Sequence, residues 1–349
     1  MKNIDYSNQI QKEALLNEYK GNLFEFLVAQ NLAVKSSLEV DFLFNLPTEY
    51  KNRLQSYEDF IRSQGPKLLI DLPLLASCTA DAIWNYLEIR QTRFTKWSVI
   101  GKIMATNDND FWNETDIVGS FLNDSGEIKN KTFSLKLTKD HSFTNTKSAG
   151  VKSFFIKYFQ AFSLQYGDLL TRQQEELNRE VDDCFLKMGH KLYAMIDADF
   201  QGRFDTHWSN HYSELPGELP EDLKIVVHEN YNRIAQKLSL FLNELKNTDS
   251  QLFFQSLFAL CGFGHREIIQ VNCFHQDYRL KAVTIKNRDD LFNIAGKNGA
   301  NDFKILPLKD LSSSLEIIWG DIVLQIRVKP MNKFTTAAYK INCAIKIKS

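Results

Sequence analysis

The chain has 349 residues, of which 44% are apolar and 24% are charged, and its 42 Lys and Arg nearly balance its 43 Asp and Glu. This composition excludes a disordered chain, a collagen, a disulfide-stapled miniprotein and a globally basic protein that coats nucleic acid. The length suits one large domain or two ordinary ones.

The cysteines and the start of the sequence indicate a cellular location. The five cysteines are scattered and include no CxxC pair, which favours a reduced protein without structural zinc. No apolar run approaches the roughly 20 residues that cross a bilayer. The polar start lacks the apolar stretch of a secretory signal. We therefore expect a cytoplasmic protein.

The first hundred residues have mostly helical patterns. Apolar residues recur at helical spacing over 9–34, where Gly21 is a weak point, and shorter helical stretches cover 58–64 and 79–94. The sequence Asp-Leu-Pro at 71–73 predicts a turn before the last of these.

Strands and a further helix follow. Alternating β-branched and aromatic residues predict strands over 96–104, 116–121 and 132–137, with turn chemistry at 123–126 joining the last two. Ser148 is then positioned to cap a helix in which six aromatic and apolar residues recur at helical spacing up to Phe162. A core-facing helix explains those aromatic residues.

The remaining chain is helical at first and then β-rich. Helices are predicted over 170–188 and 223–245, and strands over 268–274, 280–285, 315–318, 322–328 and 338–347. We expect a mixed α/β fold with a mixed sheet flanked by helices. The predicted parts are a helical 1–95, a central core at 96–250 and a β-rich 251–349.

Charge is segregated along this neutral chain. Residues 129–157 carry seven lysines and one aspartate, and residues 322–349 carry six basic residues and no acid. This distribution can place a basic surface against a polyanion.

One stretch combines groups that suit phosphodiester hydrolysis. Asp116 begins a predicted strand, and Ser134 and Lys136 project together from the partner strand because side chains two residues apart share a face. A carboxylate in this position can hold a divalent metal that activates water. The lysine can orient that water or offset charge in the transition state.

These residues resemble the PD-(D/E)xK nuclease superfamily, and within it the type II restriction endonucleases. Asp116 resembles the first acid, and Ser134-Leu135-Lys136 resembles the acid-x-lysine element, with a serine in place of the second acid. The closing segment 322–349 also resembles those of several restriction-enzyme families. The resemblance implies a restriction-endonuclease-like core and Mg²⁺-dependent cleavage of double-stranded DNA that leaves 5′-phosphates.

A hydroxyl is a weak ligand for a hard cation, so another acid must complete the site or the site is degenerate. Glu25, on the apolar face of the first helix, is the leading candidate, and Glu114 is the other. The resemblance implies Asp116, the Leu135 carbonyl and Glu25 as metal ligands.

The resemblance also implies partners. The predicted DNA contacts form two groups, Lys139, Asn145, Lys147 and Lys152 near the cut and Arg327, Lys329, Lys333 and Lys340 on a second surface. Such enzymes act as homodimers on palindromes and accompany a DNA methyltransferase that acts on the same site. The resemblance implies that the β-rich part 251–349 recognises DNA and contains the second surface.

Two alternatives remain open. A DNA-binding or regulatory protein on a degenerate nuclease core would explain Ser134. A nucleotide-sugar transferase would use Asp197 and Asp199 and would have no affinity for DNA. The pair His207 and His211, four residues apart in a loop-like stretch, is a poor candidate for zinc.

Overall fold

A computed structural model of the chain describes residues 9–88, 93–100, 115–123, 125–264, 267–295 and 303–347. It has the predicted mixed α/β architecture, in which sheets are accompanied by helices. The chain divides into two compact units. Unit 1 comprises Met1–Ser142 and His265–Leu291, and unit 2 comprises Phe143–Gly264 and Phe292–Ser349.

Four helices of unit 1 precede its sheet. They are α1 (Gln9–Lys35), α2 (Glu39–Phe44), α3 (Thr48–Gln64) and α4 (Leu68–Glu88). The predicted first helix is confirmed, and Gly21 does not interrupt it. The predicted turn at 71–73 is wrong, because α4 continues through Pro73. Proline removes one helical hydrogen bond there, but the helix buries Leu72, Leu75 and Ala76 against the core, and such packing supplies most helix stability.

The sheet of unit 1 is mixed. Its strands are β1 (Phe94–Val99), β2 (Ile117–Leu122), β3 (Ile128–Lys139), β5 (Ile268–Gln276) and β6 (Arg279–Lys286), in the order β1-β2-β3-β5-β6. β3 and β5 pair in parallel, and the other neighbouring strands of this sheet pair antiparallel. The predicted hairpin between β2 and β3 is confirmed, and Gly126 adopts the positive φ of 79° that its turn requires.

One face of this sheet is apolar and packs with α1 and α4. Phe133 and Leu135 of β3 and Val271 of β5 join the buried core that those helices form. Because side chains alternate along a strand, Ser134 and Lys136 lie on the opposite face. This alternation separates the candidate site from the apolar core.

The described residues of unit 2 contain an antiparallel sheet, five α-helices and part of a sixth. The strands are β4 (Thr144–Gly150), β7 (Phe303–Ile305), β8 (Ser314–Trp319), β9 (Ile322–Pro330) and β10 (Tyr339–Ile347), in the order β4-β10-β9-β8-β7. The helices are α5 (Phe154–Tyr158), α6 (Ser163–Ala194), α7 (Thr206–Ser209), α8 (Glu221–Thr248) and α9 (Ser250–Leu260), while α10 (Arg288–Ala295) begins in unit 1 and ends in unit 2.

The predicted helix that Ser148 would cap is wrong. Ser148 lies inside β4, opposite Asn342 of β10, and the following residues form a 3-10 turn, the short α5 and another 3-10 turn. The role assigned to the aromatic residues is confirmed, because Phe154, Phe155 and Phe162 are fully buried. Contacts between aromatic rings stabilise this segment. Its buried aromatic residues therefore recur at helical spacing although the segment is not one continuous helix.

The β-rich end of the sequence is divided between the two sheets. β5 and β6 complete the sheet of unit 1, whereas β7 to β10 belong to unit 2. The predicted boundaries near residues 95 and 250 therefore do not coincide with the two units. The reason is the parallel pairing of β3 with β5, which brings the chain back to its first sheet.

The cysteines of the chain carry free thiols, and burial raises the pKa of Cys184 and Cys261 to about 12. Within the described ranges, no helix has the length and apolarity that a membrane crossing requires.

Candidate active site

Asp116 lies immediately before β2, where that strand begins to pair with β3. Its N–H donates to the carbonyl of Phe133 at 2.9 Å, and its own carbonyl accepts the N–H of Ile100 at 2.9 Å. Main-chain bonds on both sides therefore fix the backbone from which its carboxylate projects.

The carboxylate of Asp116 gathers three donors from consecutive residues of β3. The Oδ2 atom accepts the N–H of Leu135 at 2.6 Å and the hydroxyl of Ser134 at 3.3 Å. The Nζ atom of Lys136 lies 3.5 Å from the same oxygen. The predicted meeting of residues 116, 134 and 136 is thus present in the structure.

The geometry leaves capacity for a ligand. All three contacts use Oδ2, so Oδ1 of Asp116 has no hydrogen-bond partner among the described residues. Asp116 and Lys136 keep 19% and 33% of their side-chain exposure, so solvent reaches both. At 3.5 Å the lysine contact is also long for a charge-assisted hydrogen bond.

The Leu135 carbonyl is directed towards the same edge as Asp116. The N–H and C=O of one strand residue point to the same side, and the N–H of Leu135 is bonded to Asp116. This orientation agrees with the role of metal ligand that the resemblance implies for Leu135.

The two candidates for a second acid have different outcomes. Glu25 is half-buried on α1, the helix that packs on the apolar face of the sheet. Burial of Tyr50 on α3 raises the pKa of its hydroxyl, and the negative charge of Glu25 is the next largest cause of that rise. Glu114 lies outside the described residues. Within the described part of the chain, no three His, Cys, Asp or Glu side chains gather into a group that could hold a metal ion. The second acid stays a prediction.

Sequence reasoning missed two polar residues on β5. Gln270 lies beside Ser134, and Asn272 lies beside Lys136, in the parallel register of β3 and β5. Both side chains are buried. The alternation of polar and apolar residues in IIQVNCFHQ was a signal for them, but only the parallel pairing shows that their polar face is the face of the site.

The first group of predicted DNA-contact residues is spread over two elements and a turn. Lys139 is exposed at the end of β3 in unit 1. In unit 2, Asn145 is exposed and Lys147 is half-buried on the edge strand β4, and Lys152 pairs with Asp182 at 2.8 Å. The ion pair engages the ammonium group of Lys152.

The second group forms a surface on β9 and β10, which we call the basic face and define by Arg327, Lys329 and Lys340. Lys329 and Lys340 are direct neighbours across the two strands, and Arg327 lies two residues from Lys329 on the same face. Arg327 donates to the Ser314 hydroxyl and the Gln325 amide oxygen, each at 3.0 Å. Of the carboxylates in the described residues, none pairs with these three cations.

The three cations of the basic face repel one another. Burial, and then the charges of Lys340 and Arg327, lower the pKa of Lys329. Like charges held together without a counterion are unfavourable in the free protein, and an approaching anion would relieve the repulsion.

Lys333 does not join the basic face. Its ammonium group binds both carboxylate oxygens of Glu214, at 2.8 and 2.9 Å, and the Thr335 hydroxyl donates to the same carboxylate at 2.6 Å. Lys333 is therefore part of a closed ion pair within unit 2.

The weaker candidate sites have structural explanations. Asp197 adopts a positive φ of 53° in the turn after α6, a conformation that Asp tolerates in turns. Asp205 accepts N–H groups of His207 and Trp208 as the N-cap of α7. The rings of His207 and His211 lie 5.5 Å apart.

Comparisons with known proteins give little support of their own. The scan of protein-family models found no match, and neither did the search of curated proteins. Among solved structures, the chain is similar to restriction endonuclease MspI in complex with its cognate DNA, with 13% identity and a TM-score of 0.36 over 90% of this chain and 97% of that one.

Proposed function

We propose that this protein is a metal-dependent endonuclease of the restriction type, which hydrolyses phosphodiester bonds of double-stranded DNA. The observation that carries the proposal is the convergence of Asp116, Ser134 and Lys136 at one point of the sheet, with the ammonium 3.5 Å from the carboxylate. An acid and a lysine on paired strands match the arrangement expected from the sequence.

The oxygen atoms at the site fit a divalent cation such as Mg²⁺. Asp116 has an oxygen without a partner in the described residues, and the Leu135 carbonyl faces the same edge. Mg²⁺ is commonly bound by one or two carboxylates together with substrate phosphates and several waters, so these two oxygens would supply part of its coordination, and a second acid or the DNA phosphate would complete it. When bound, the cation would polarise the phosphate and lower the pKa of a water molecule.

The protein groups then have separate tasks. Asp116 would hold the cation, while the Leu135 N–H fixes the carboxylate through Oδ2. Lys136 orients the attacking water and offsets negative charge on the phosphate. The water oxygen bonds to phosphorus as the bond to the 3′ oxygen breaks. The water loses a proton to solvent and the departing 3′ oxygen takes one from solvent, which leaves a 5′-phosphate and a 3′-hydroxyl.

The basic face supplies DNA contacts in this proposal. Arg327, Lys329 and Lys340 are cations without acidic partners in the described residues, and such groups attract phosphates. Lys139, Asn145 and Lys147 are further contacts. Lys152 and Lys333 contribute less, because each already binds a carboxylate.

The proposed enzyme recognises a specific sequence and acts as a homodimer on a palindromic site. A methyltransferase that acts on the same sequence and a cytoplasmic location complete the proposal. Two-fold DNA symmetry favours a two-fold symmetric protein.

The test is digestion of DNA of known sequence with and without Mg²⁺. We expect discrete fragments from the wild type with Mg²⁺, and no cleavage by Asp116→Ala or Lys136→Ala. The ion pair of Lys35 with Asp81, also in unit 1, provides matched controls, and Lys35→Ala and Asp81→Ala should cut normally. Undiminished cleavage by either site variant would remove that residue from the mechanism.

The second candidate function is DNA binding without cleavage. Ser134 favours it, because the position of the second acid carries a hydroxyl. In that case, DNA is shifted in a gel but stays intact under every metal condition.

A further inference from the structure

Asn272 carries a buried oxygen without a partner. Its side chain is almost fully buried, and its Oδ1 atom accepts no hydrogen bond from the residues that the structure describes. A buried carbonyl oxygen that loses its hydrogen bonds to water is destabilising. Such a group is expected to have a partner in the working protein.

The register of the sheet places this residue beside the catalytic lysine. Asn272 of β5 is the direct neighbour of Lys136 on β3, with Thr284 of β6 on its other side. Neighbouring strands lie about 4.8 Å apart, so the flexible lysine side chain can reach the amide oxygen. Both side chains occupy the face opposite the apolar core.

Lys136 has unused donors. An ammonium group carries three N–H donors, and among the described residues Asp116 is its one hydrogen-bond partner, at 3.5 Å. Ser134 adds no second negative charge at this point. When a divalent cation takes up the charge of Asp116, the attraction between Asp116 and Lys136 weakens.

We propose that Asn272 is a positioning residue that holds the ammonium group of Lys136 when Asp116 binds the cation. This inference rests on the proposed function. In it, Lys136 pairs with Asp116 before the cation binds, and afterwards donates one hydrogen bond to Oδ1 of Asn272. Its other donors remain directed at the water and the phosphate. The oxygen of Asn272 thereby gains the partner that it lacks.

The experiment compares Asn272→Leu, Asn272→Asp and wild type in single-turnover DNA cleavage, DNA binding, Mn²⁺ binding and thermal unfolding. We expect Asn272→Leu to lower the cleavage rate at least tenfold, with unchanged affinity for DNA and Mn²⁺. Its Tm should stay the same or rise, since a leucine of similar size removes the unpaired oxygen. Asn272→Asp keeps an oxygen acceptor and should recover most of the rate.

Asn230 of unit 2 provides a matched control, because its Oδ1 is also buried without a partner in the described residues. Its amide group donates to the Tyr339 hydroxyl at 3.2 Å, so Asn230→Leu should lower Tm and leave cleavage unchanged.

The outcomes separate this inference from the proposed function. Unchanged cleavage by Asn272→Leu, with Lys136→Ala inactive, would overturn the inference alone. A loss of Mn²⁺ affinity in Asn272→Leu would also overturn it, because the residue would then act on the cation. If Lys136→Ala and Asp116→Ala cut normally, the proposed function itself fails.

Discussion

Each unit of the molecule contains a carboxylate that binds a hydroxyl and a lysine, but the two groups differ in how the bonds are distributed. In unit 2, both oxygens of Glu214 bind Lys333, at 2.8 and 2.9 Å, and Thr335 adds a third contact at 2.6 Å. In unit 1, Oδ2 of Asp116 takes every contact, and Lys136 lies 3.5 Å away.

The difference shows how the same chemical groups can stabilise a fold or form a site. Glu214 and Lys333 neutralise each other, and both carboxylate oxygens of Glu214 contact the ammonium group. The carboxylate of Asp116 is held by a main-chain N–H that fixes its position, while its other oxygen and most donors of Lys136 have no partner within the described part of the chain. The main-chain hydrogen bond from Leu135 thus orients the Asp116 carboxylate without requiring a close hydrogen bond from Lys136.

The largest expected effect is on cleavage. If the proposed function holds, Asp116→Asn should lower the Mg²⁺-dependent cleavage rate at least about 100-fold, since it removes the charge that would hold the cation. The amide oxygen can still accept the Leu135 N–H, so thermal unfolding should change little. Glu214→Gln should do the reverse, with normal cleavage and a free energy of unfolding about 1 kcal/mol lower. Equal effects of both variants on the cleavage rate would refute the proposed difference between the Asp116 group and the Glu214 group.

A second acid should strengthen the site in unit 1. In Ser134→Asp, a carboxylate replaces the hydroxyl that lies 3.3 Å from Asp116, and its added charge should tighten Mg²⁺ binding about tenfold. Without a cation, repulsion between the two carboxylates should lower Tm at neutral pH. Calorimetric titration with Mg²⁺ measures the affinity, and Ser120→Asp, on β2 of the same unit, is the control. Equal affinities in Ser134→Asp and wild type would show that position 134 does not face the cation.

The lysines of unit 2 should differ in their contribution to DNA binding. Lys329→Met and Lys340→Met should each weaken DNA binding and reduce its dependence on salt by about one unit of slope, as expected for one lost phosphate contact. Lys329→Met should not lower Tm, because it relieves repulsion within the basic face and keeps an apolar side chain. Lys333→Met should leave the salt slope unchanged. Fluorescence anisotropy at several salt concentrations measures these slopes, and a normal slope in Lys329→Met would exclude the basic face from the DNA contacts.

The smallest expected effect concerns pH. Burial raises the pKa of the Glu214 carboxyl, but the bonds from Lys333 and Thr335 outweigh it, so the net pKa lies below the usual 4.5. A lowered pKa in the folded state means that the ion pair stabilises the protein above about pH 4.5. That contribution is lost as the pH falls through the folded-state pKa. Denaturant unfolding of wild type and Glu214→Gln should therefore differ at pH 7 and converge once the pH falls below the folded-state pKa of Glu214. A constant difference across this range would show that the charge of Glu214 contributes no stability.

The sequence was sufficient to predict those parts of the structure that depend on pairing between strands close together in the chain. Asp116, Ser134 and Lys136 belong to one hairpin, whose turn at 123–126 and alternating strands set the register, so their meeting followed from short-range rules. Long-range pairing was beyond the same reasoning. The position of Asn272 beside Lys136 and the ion pair of Lys333 with Glu214 join residues far apart in sequence.

Two local predictions were wrong because tertiary packing overrides local preference. Pro73 lies inside α4, where burial of Leu72 and Leu75 compensates for the lost hydrogen bond. Ser148 pairs in β4 with Asn342 of β10. The sequence predicted the strand at 338–347, but no local rule could have indicated that it pairs with the segment around Ser148. The polar segment around Ser148 therefore forms the edge of a sheet rather than the start of a helix.

The parallel pairing of β3 with β5 has a consequence for biosynthesis. The ribosome completes β3 at Lys139 long before it reaches β5 at Ile268, so the open edge of β3 must wait while most of unit 2 is translated. An unprotected strand edge invites association with other chains. Nascent chains that stop before Ile268 should therefore depend on chaperones, and the final strands should set the pace at which unit 1 matures.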